Sequence, residues 1–388
     1  MDIERILSLL PPDLLDDLAV ETQVNRYSKK LQGQVVFKLL IYCILSHKEN
    51  SLRSMESAYE SIGFSILNAG KKKRQVCYSS ISERLSSINP SYFENIYQTC
   101  LDIYGKTLRS KSKEIVFFDS TIVTLSSKLL YLGYRLKGDA SNISQLKFTI
   151  GLSELPVSIH FFKEQKYTSE NVALKEAVLS SVSHECNPVR IFDRGITSRK
   201  TYDMLTDKNI PFISRINPNS KYCQQQENKL SEPIETETLI IHSDQSVYLF
   251  SEGCIKTRHP LRIIRSTRKD TGEEIVFVTN VKDIQAKEIA SLYKQRWNIE
   301  VFFKFLKQEL NFSHLVNRSE NGIKVMLYST LIAVILLLVY KKKNKLSGYK
   351  IMKQKFVQDL EKSLVKNFVE MCGGNPKLVD KLLGFNTS

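Results

Sequence analysis

Apolar and polar positions change rhythm several times along the chain. Through about residue 110 the apolar residues recur at helical spacing. Pro11-Pro12 stops one short helix and starts another, Gln34 to His47 is strongly apolar, and Ser51 to Ser61 is more polar. Ser79 to Leu85 reads as a short helix with Ser/Glu capping chemistry, split from the next at Asn89-Pro90. From Glu114 the pattern becomes strand-like, with IVFFD, TIVTL, LLYLGYRL, QLKFTIGL and PVSIHFF rich in β-branched and aromatic residues. Asn171 to Val182 predicts a helix, Val189 to Asp193 a strand closed by Arg194-Gly195, Ser198 to Thr206 a helix, and PFISRI a strand. Residues 217–275 hold short strands separated by turn signals, and from Asp283 the chain is helical to its end. Strands interleaved with helices predict a mixed sheet with helices packed on it.

Composition narrows the class. The chain has 388 residues, enough for two or three domains, and 42% apolar with 25% charged residues is globular rather than disordered, collagenous or disulfide-stapled. A net charge of +15 favours a polyanionic partner, either nucleic acid or an anionic membrane surface. The small helical module beside the basic run Lys71 to Arg74 suits a DNA-binding unit, and equally a helical cap on a larger core. The acidic start, MDIERILSLLPPDLLDD, lacks a signal-peptide layout. Val325 to Tyr340 is uninterrupted apolar sequence followed by three lysines, shorter than the ~20 residues of a spanning helix, so a buried core helix is expected. The seven cysteines include no C-x-x-C pair and read as reduced thiols of a cytosolic protein; Cys223, Cys254 and His259 fit no zinc-finger spacing.

The densest chemistry lies in Tyr293 to Leu310, YKQRWNIEVFFKFLKQEL. On one helix at about 100° per residue, Tyr293, Arg296, Glu300, Lys304 and Lys307 fall within roughly 80° of arc, beside an apolar flank of Leu292, Ile299, Phe303, Leu306 and Leu310. Such a stripe suits a solvated face with i,i+4 ion pairs worth ~0.3–0.5 kcal/mol each. It also suits a metal-binding carboxylate, Glu300, among cations and a tyrosine that grip phosphates. Two further acids close apolar strands, Asp119 before Ser120-Thr121 and Asp193 before Arg194-Gly195. Asp-Ser-Thr is also good capping chemistry and Asp-Arg-Gly good turn chemistry; an acid delivered by a rigid strand is equally what a metal site demands.

These residues carry a resemblance. Tyr293, Arg296, Glu300 and Lys307, in the spacing Y-x2-R-x3-E-x6-K, with the D-S-T and D-R-G acids, resemble the DDE transposases of the insertion-sequence-four family over roughly residues 30–340. The resemblance implies an α/β fold: an RNase H-like mixed sheet with flanking helices, a β-rich insertion, and an all-helical N-terminal DNA-binding module. The division it suggests is a helical region over 1–110, a catalytic core over 111–216 and 276–345 split by the insertion at 217–275, and a C-terminal helical region over 346–388. It further implies that Asp119, Asp193 and Glu300 are catalytic ligands of two Mg²⁺ ions, for which Mn²⁺ substitutes. Tyr293, Arg296 and Lys307 would bind DNA. Trp297 and Lys304 lie beside them as further DNA contacts, Trp297 either stacking on a base or packing in the core.

The implied activity is cut-and-paste transposition. Inverted-repeat ends are bound and cleaved, through a hairpin, and the 3′ ends are joined to target DNA. Partners would be transposon-end duplex, target DNA and a second copy of the chain, in a bacterial or archaeal cytoplasm at the nucleoid. Two departures stand out: Lys147-Phe148-Thr149 where the family often has Lys-x-His, and Ile196 where an aromatic often follows D-R-G. The alternatives are a catalytically inactive or domesticated DNA-binding protein on the same fold, an RNase H-like nuclease for other substrates, and a membrane-associated basic protein.

Overall fold

A computed structural model describes residues 10–382 apart from 12, 48–49, 69–74, 109–114, 126–133, 136–143, 181–186, 229, 231, 252–254 and 313–314. The basic run Lys71 to Arg74, most of LLYLGYRL, Cys186 and Cys254 lie outside the described residues. In chain order the described elements begin with six helices, α1 (Leu14–Glu21), α2 (Gly33–Ser46), α3 (Leu52–Glu60), α4 (Ile62–Leu67), α5 (Tyr78–Ser87) and α6 (Ser91–Leu108). Strands β1 (Ile115–Leu125), β2 (Tyr134–Arg135), β3 (Ser144–Leu152) and β4 (Pro156–Phe162) follow, then α7 (Glu170–Ser180), β5 (Val189–Phe192), α8 (Arg199–Asp207) and β6 (Phe212–Ile216). Next come β7 (Tyr222–Asn228), β8 (Ile234–Glu235), β9 (Leu239–Leu249), β10 (Leu261–Arg268) and β11 (Glu274–Thr279). The chain closes with α9 (Ala286–Lys294), α10 (Trp297–Glu309), α11 (Glu320–Lys343), α12 (Tyr349–Met371) and α13 (Lys377–Leu382).

Two compact units share the chain. One comprises 109–303; the other joins 1–108 to 304–388, and α10 runs across the division. In the strand-bearing unit all eleven described strands form one sheet, in the order β2-β3-β1-β5-β6-β11-β10-β9-β7, with β4 also on β3 and β8 on β9. The β1–β5 and β5–β6 pairs are parallel, and every other pairing among the described strands is antiparallel. The strands of the 217–275 stretch therefore continue the sheet, since β11 pairs with β6. All four residues of β5 are buried, as expected of a central parallel strand covered on both faces. Phe118 of β1, Phe192 of β5 and Phe212 of β6 share a core with Leu174 and Ala177 of α7 and with Tyr202 and Leu205 of α8. These two helices thus cover one face of the sheet.

Three local expectations change. The sequence predicts a strand ending at Asp119; instead β1 runs unbroken to Leu125, pairing with β3 from Phe117↔Leu152 to Leu125↔Ser144. Cross-strand chemistry overrides the Asp-Ser-Thr turn signal, because the Ser120 hydroxyl meets the Thr149 hydroxyl at 2.8 Å. The single helix expected over Tyr293 to Leu310 is two, joined by a tight turn at Gln295-Arg296. There the Gln295, Arg296, Asn298 and Ile299 N–H groups donate three residues back. Finally, Cys77 precedes α5 at the capping position without a side-chain cap, and the Ser79 and Ser80 hydroxyls contact the Cys77 Sγ at 3.0 and 3.2 Å.

The helical unit is built around α11. Every residue from Val325 to Tyr340 is buried. The helix packs on α2, α5, α6 and α12. It is long and apolar enough to cross a membrane, yet 89% of its apolar window is buried inside the fold, which marks a core helix. Ser319 starts it by accepting the Gly322 N–H at 3.0 Å.

Candidate active site

Strand register brings the first two acids together. Phe118 on β1 lies opposite Phe192 on β5 in a parallel pair. Asp119 and Asp193 are therefore the next residues on neighbouring strands, which run ~4.8 Å apart. Both phenylalanines point into the core beneath α7 and α8. By the two-residue alternation of a strand, the acids turn to the opposite face. There α9 packs on β6 and β9 and supplies Tyr293. The Tyr293 ring lies 5.2 Å from that of Phe277, and its hydroxyl donates to Asp193 Oδ1 at 2.8 Å. From β6, Arg215 donates to the same oxygen through Nε and one terminal nitrogen, both at 3.2 Å.

Glu300 arrives from the first turn of α10. Arg296, 8% exposed in the turn before it, donates to Glu300 Oε1 at 2.5 Å. The same guanidinium lies 5.8 Å from the centre of the Tyr293 ring, and its charge acts on both Asp119 and Asp193. Arg296 thus binds Glu300 directly and acts on the two aspartates through its charge. Its Nε is buried without a hydrogen-bond partner among the described residues.

The two aspartates sit in different electrostatic settings. Burial pushes the Asp119 carboxyl up to about 6, and the charges of Glu170 and Glu300 act in the same direction. The Ser120 N–H, donating at 2.8 Å, and the Arg296 charge oppose them without prevailing. Burial also acts to raise Asp193, but the Arg194 N–H, Arg215, Tyr293 and Arg296 outweigh it and hold this carboxyl below its ordinary value. Burial pushes the Tyr293 hydroxyl up, aided by the Asp193 charge, so it stays a donor.

Three further residues belong to this neighbourhood. Glu170 opens α7 against Gly195, where a Cβ would meet the Glu170 side chain at 2.7 Å; glycine after Asp193-Arg194 makes that approach possible. Lys147, 4% exposed, donates to the Thr168 carbonyl at 2.9 Å and feels the Glu170 charge. Arg215 is the neighbour with a readable signal, a lone cation within the apolar run PFISRI. Glu170 gives none, since an acid in a first helical turn is commonplace.

The other predicted contacts lie on the outside of α10. Trp297 is 62% exposed, which excludes the core-packing reading, and Lys304 and Lys307 are exposed. Tyr293 and Arg296 are buried and engaged with the acids. In donor chemistry the three carboxylates fit a hard divalent cation. Asp119 in particular is a desolvated carboxyl that takes one backbone N–H and, among the described residues, no ion pair, a group that a cation would complete. Among the described residues no three His, Cys, Asp or Glu side chains gather closely enough to hold one ion. Arg296 takes up Glu300 instead.

Residues 110–336 match a family model described as the transposase DDE domain. A putative transposase for insertion sequence element IS4SA of Synechocystis is 25% identical over 76% of this chain and 78% of its own length. A putative transposase, y4zB, of Sinorhizobium fredii is 28% identical over 43% of this chain, and a probable transposase for insertion sequence element IS5377 of Geobacillus stearothermophilus is 31% identical over 38%. The matched segments span 46% and 38% of those two relatives.

Proposed function

Since the chain belongs to the transposase DDE domain family, we propose that it is an active DNA transposase with Asp119, Asp193 and Glu300 as its catalytic acids. The observation carrying this reading is the parallel β1–β5 register, which sets Asp119 beside Asp193, with Arg296 joining both electrostatically to Glu300. The strand order β4-β3-β1-β5-β6, three antiparallel strands followed by two parallel ones, supports an RNase H-like core.

Asp119, Asp193 and Glu300 would hold divalent cations, Mg²⁺ with Mn²⁺ as substitute. When bound, such ions acidify a water and offset charge on the oxygen leaving a phosphodiester. The chain's own residues do the positioning. Tyr293 and Arg215 fix the Asp193 carboxylate in its charged form, and the Ser120 N–H orients Asp119. Arg296, bound to Glu300 and acting on both aspartates through its charge, would meet a phosphate brought to them. Exposed Trp297, Lys304 and Lys307 would contact end DNA, the lysines as phosphate partners and Trp297 by stacking. Binding of inverted ends, hairpin formation, joining to target DNA and dimerisation in the synapse are part of the same reading.

The test is cleavage of supercoiled DNA carrying the terminal sequences that flank the gene, with Mg²⁺. Asp119→Asn, Asp193→Asn and Glu300→Gln should each abolish strand cleavage while end binding persists in a filter assay. Full cleavage by any one of them removes that acid from the site. A wild-type chain that binds ends without cutting them is instead the DNA-binding alternative.

A further inference from the structure

Arg296 does something the acid triad alone does not explain. A metal-binding cluster needs its carboxylates free, yet Glu300 is held at 2.5 Å by a guanidinium that is itself buried. Arg296 is not simply half of a surface ion pair: its side chain is 10% exposed, against 31% for Glu300. Its charge reaches Asp119 and Asp193 as well, and it lies against the ring of Tyr293, which binds Asp193. Its Nε is buried and, among the described residues, unpartnered, so the guanidinium keeps hydrogen-bonding capacity that Glu300 does not use. An arginine so placed matches a phosphate, which accepts two parallel N–H bonds.

We propose that Arg296 is a resident counter-ion that holds Glu300 in the DNA-free chain and releases it when a DNA phosphate takes the guanidinium. This rests on the reading of Asp119, Asp193 and Glu300 as the cation-binding acids. Before DNA arrives, Arg296 occupies Glu300 and competes with divalent cations for it, while Arg215 pairs with Asp193. A backbone phosphate adjoining the acids offers Arg296 a better partner, and Glu300 becomes available. DNA binding and cation binding are then thermodynamically linked, and the linkage is reciprocal: each tightens the other by the same factor. Such coupling keeps a nuclease centre from being charged in the absence of its substrate.

The experiment is Mn²⁺ binding to the full-length chain, followed by electron paramagnetic resonance of the free ion, with and without a duplex bearing the flanking terminal sequence. Wild type should bind Mn²⁺ weakly alone and roughly tenfold or more tightly with duplex, the scale expected for a close charge pair exchanged. Arg296→Gln should bind Mn²⁺ roughly tenfold more tightly than wild type without DNA, and should lose the enhancement by duplex. Arg296→Lys, which keeps the charge but not the fork, should fall between the two. If Arg296→Gln unfolds without metal, Mn²⁺ should restore its melting temperature more than it raises that of the wild type, because the cation replaces the missing charge.

Unchanged Mn²⁺ affinity in folded Arg296→Gln, with binding still abolished by Glu300→Gln, overturns the counter-ion role and leaves the acid triad standing. Mn²⁺ binding indifferent to both Asp119→Asn and Glu300→Gln overturns the triad and the counter-ion role together.

Discussion

Replacing Tyr293 by phenylalanine removes one hydroxyl from the centre of the site and little else. The ring packs on Phe277 and lies under both Arg215 and Arg296, contacts that phenylalanine keeps. What is lost is a 2.8 Å hydrogen bond to an ionised carboxylate. A bond to a charged group contributes ~1.5–3 kcal/mol. Asp193 is 39% exposed at its side chain and keeps two bonds from Arg215, so the lower end applies. The expected loss is about 1.5 kcal/mol, or ~3–6 °C in melting temperature for a unit of this size. Urea unfolding followed by circular dichroism in metal-free buffer reads it directly.

The pH dependence of that loss follows from Asp193. A carboxyl held below its ordinary value contributes stability that is present above about pH 4 and fades as pH falls through the folded value. The difference between Tyr293→Phe and wild type should therefore be flat from about pH 5 to 8. A loss under ~0.5 kcal/mol would mean that the hydroxyl does not hold Asp193 in solution. A loss that varies steeply across neutral pH would point to a different titrating partner.

Other consequences are more local. Lys304→Ala and Lys307→Ala, at exposed positions of α10, should each reduce the slope of log affinity for end DNA against log salt by about one; an unchanged slope means that they touch no phosphate. Hydrogen bonds from Ser79 and Ser80 bring the exposed Cys77 thiol down to about 7. Its alkylation rate should thus climb to a plateau through neutral pH, and Cys77→Ser should remove that titrating component from the thiol reactivity. Ile332→Ala, in the middle of α11 and fully buried, should cost ~2–5 kcal/mol without detergent; a loss below ~1 kcal/mol would contradict its place in the core.

Much of this architecture is legible residue by residue. The apolar run of α11, the fully buried β5 and the turn after Asp193 each follow from local pattern. The limits appear wherever pairing decides. Asp-Ser-Thr looks like a strand end because serine and threonine favour turns, and only the Ser120–Thr149 contact shows why β1 continues. Likewise, the periodicity of Tyr293 to Leu310 is helical on both sides of Gln295-Arg296, so nothing local announces the break. The break nonetheless sets the chemistry: Tyr293 reaches back to Asp193 from α9, while Glu300 is carried by a separate helix.

The same distinction separates the predicted site residues from the missed ones. Asp119 and Asp193 can be picked out because each follows an apolar run, but their adjacency depends on Phe118 facing Phe192, a register fixed by residues far apart in sequence. Arg215 and Glu170 become meaningful only after that register is known, since one binds Asp193 across the sheet and the other fills the space left by Gly195. Arg296 is the sharper case. Helical spacing alone marks it as an i,i+4 partner of Glu300, which is correct but ordinary, whereas its burial, together with a charge that acts on both aspartates, makes it a cation whose removal should change how the cluster meets a metal. A local motif can therefore nominate the charged residues of such a centre, while the fold decides which charges neutralise one another until a polyanion intervenes.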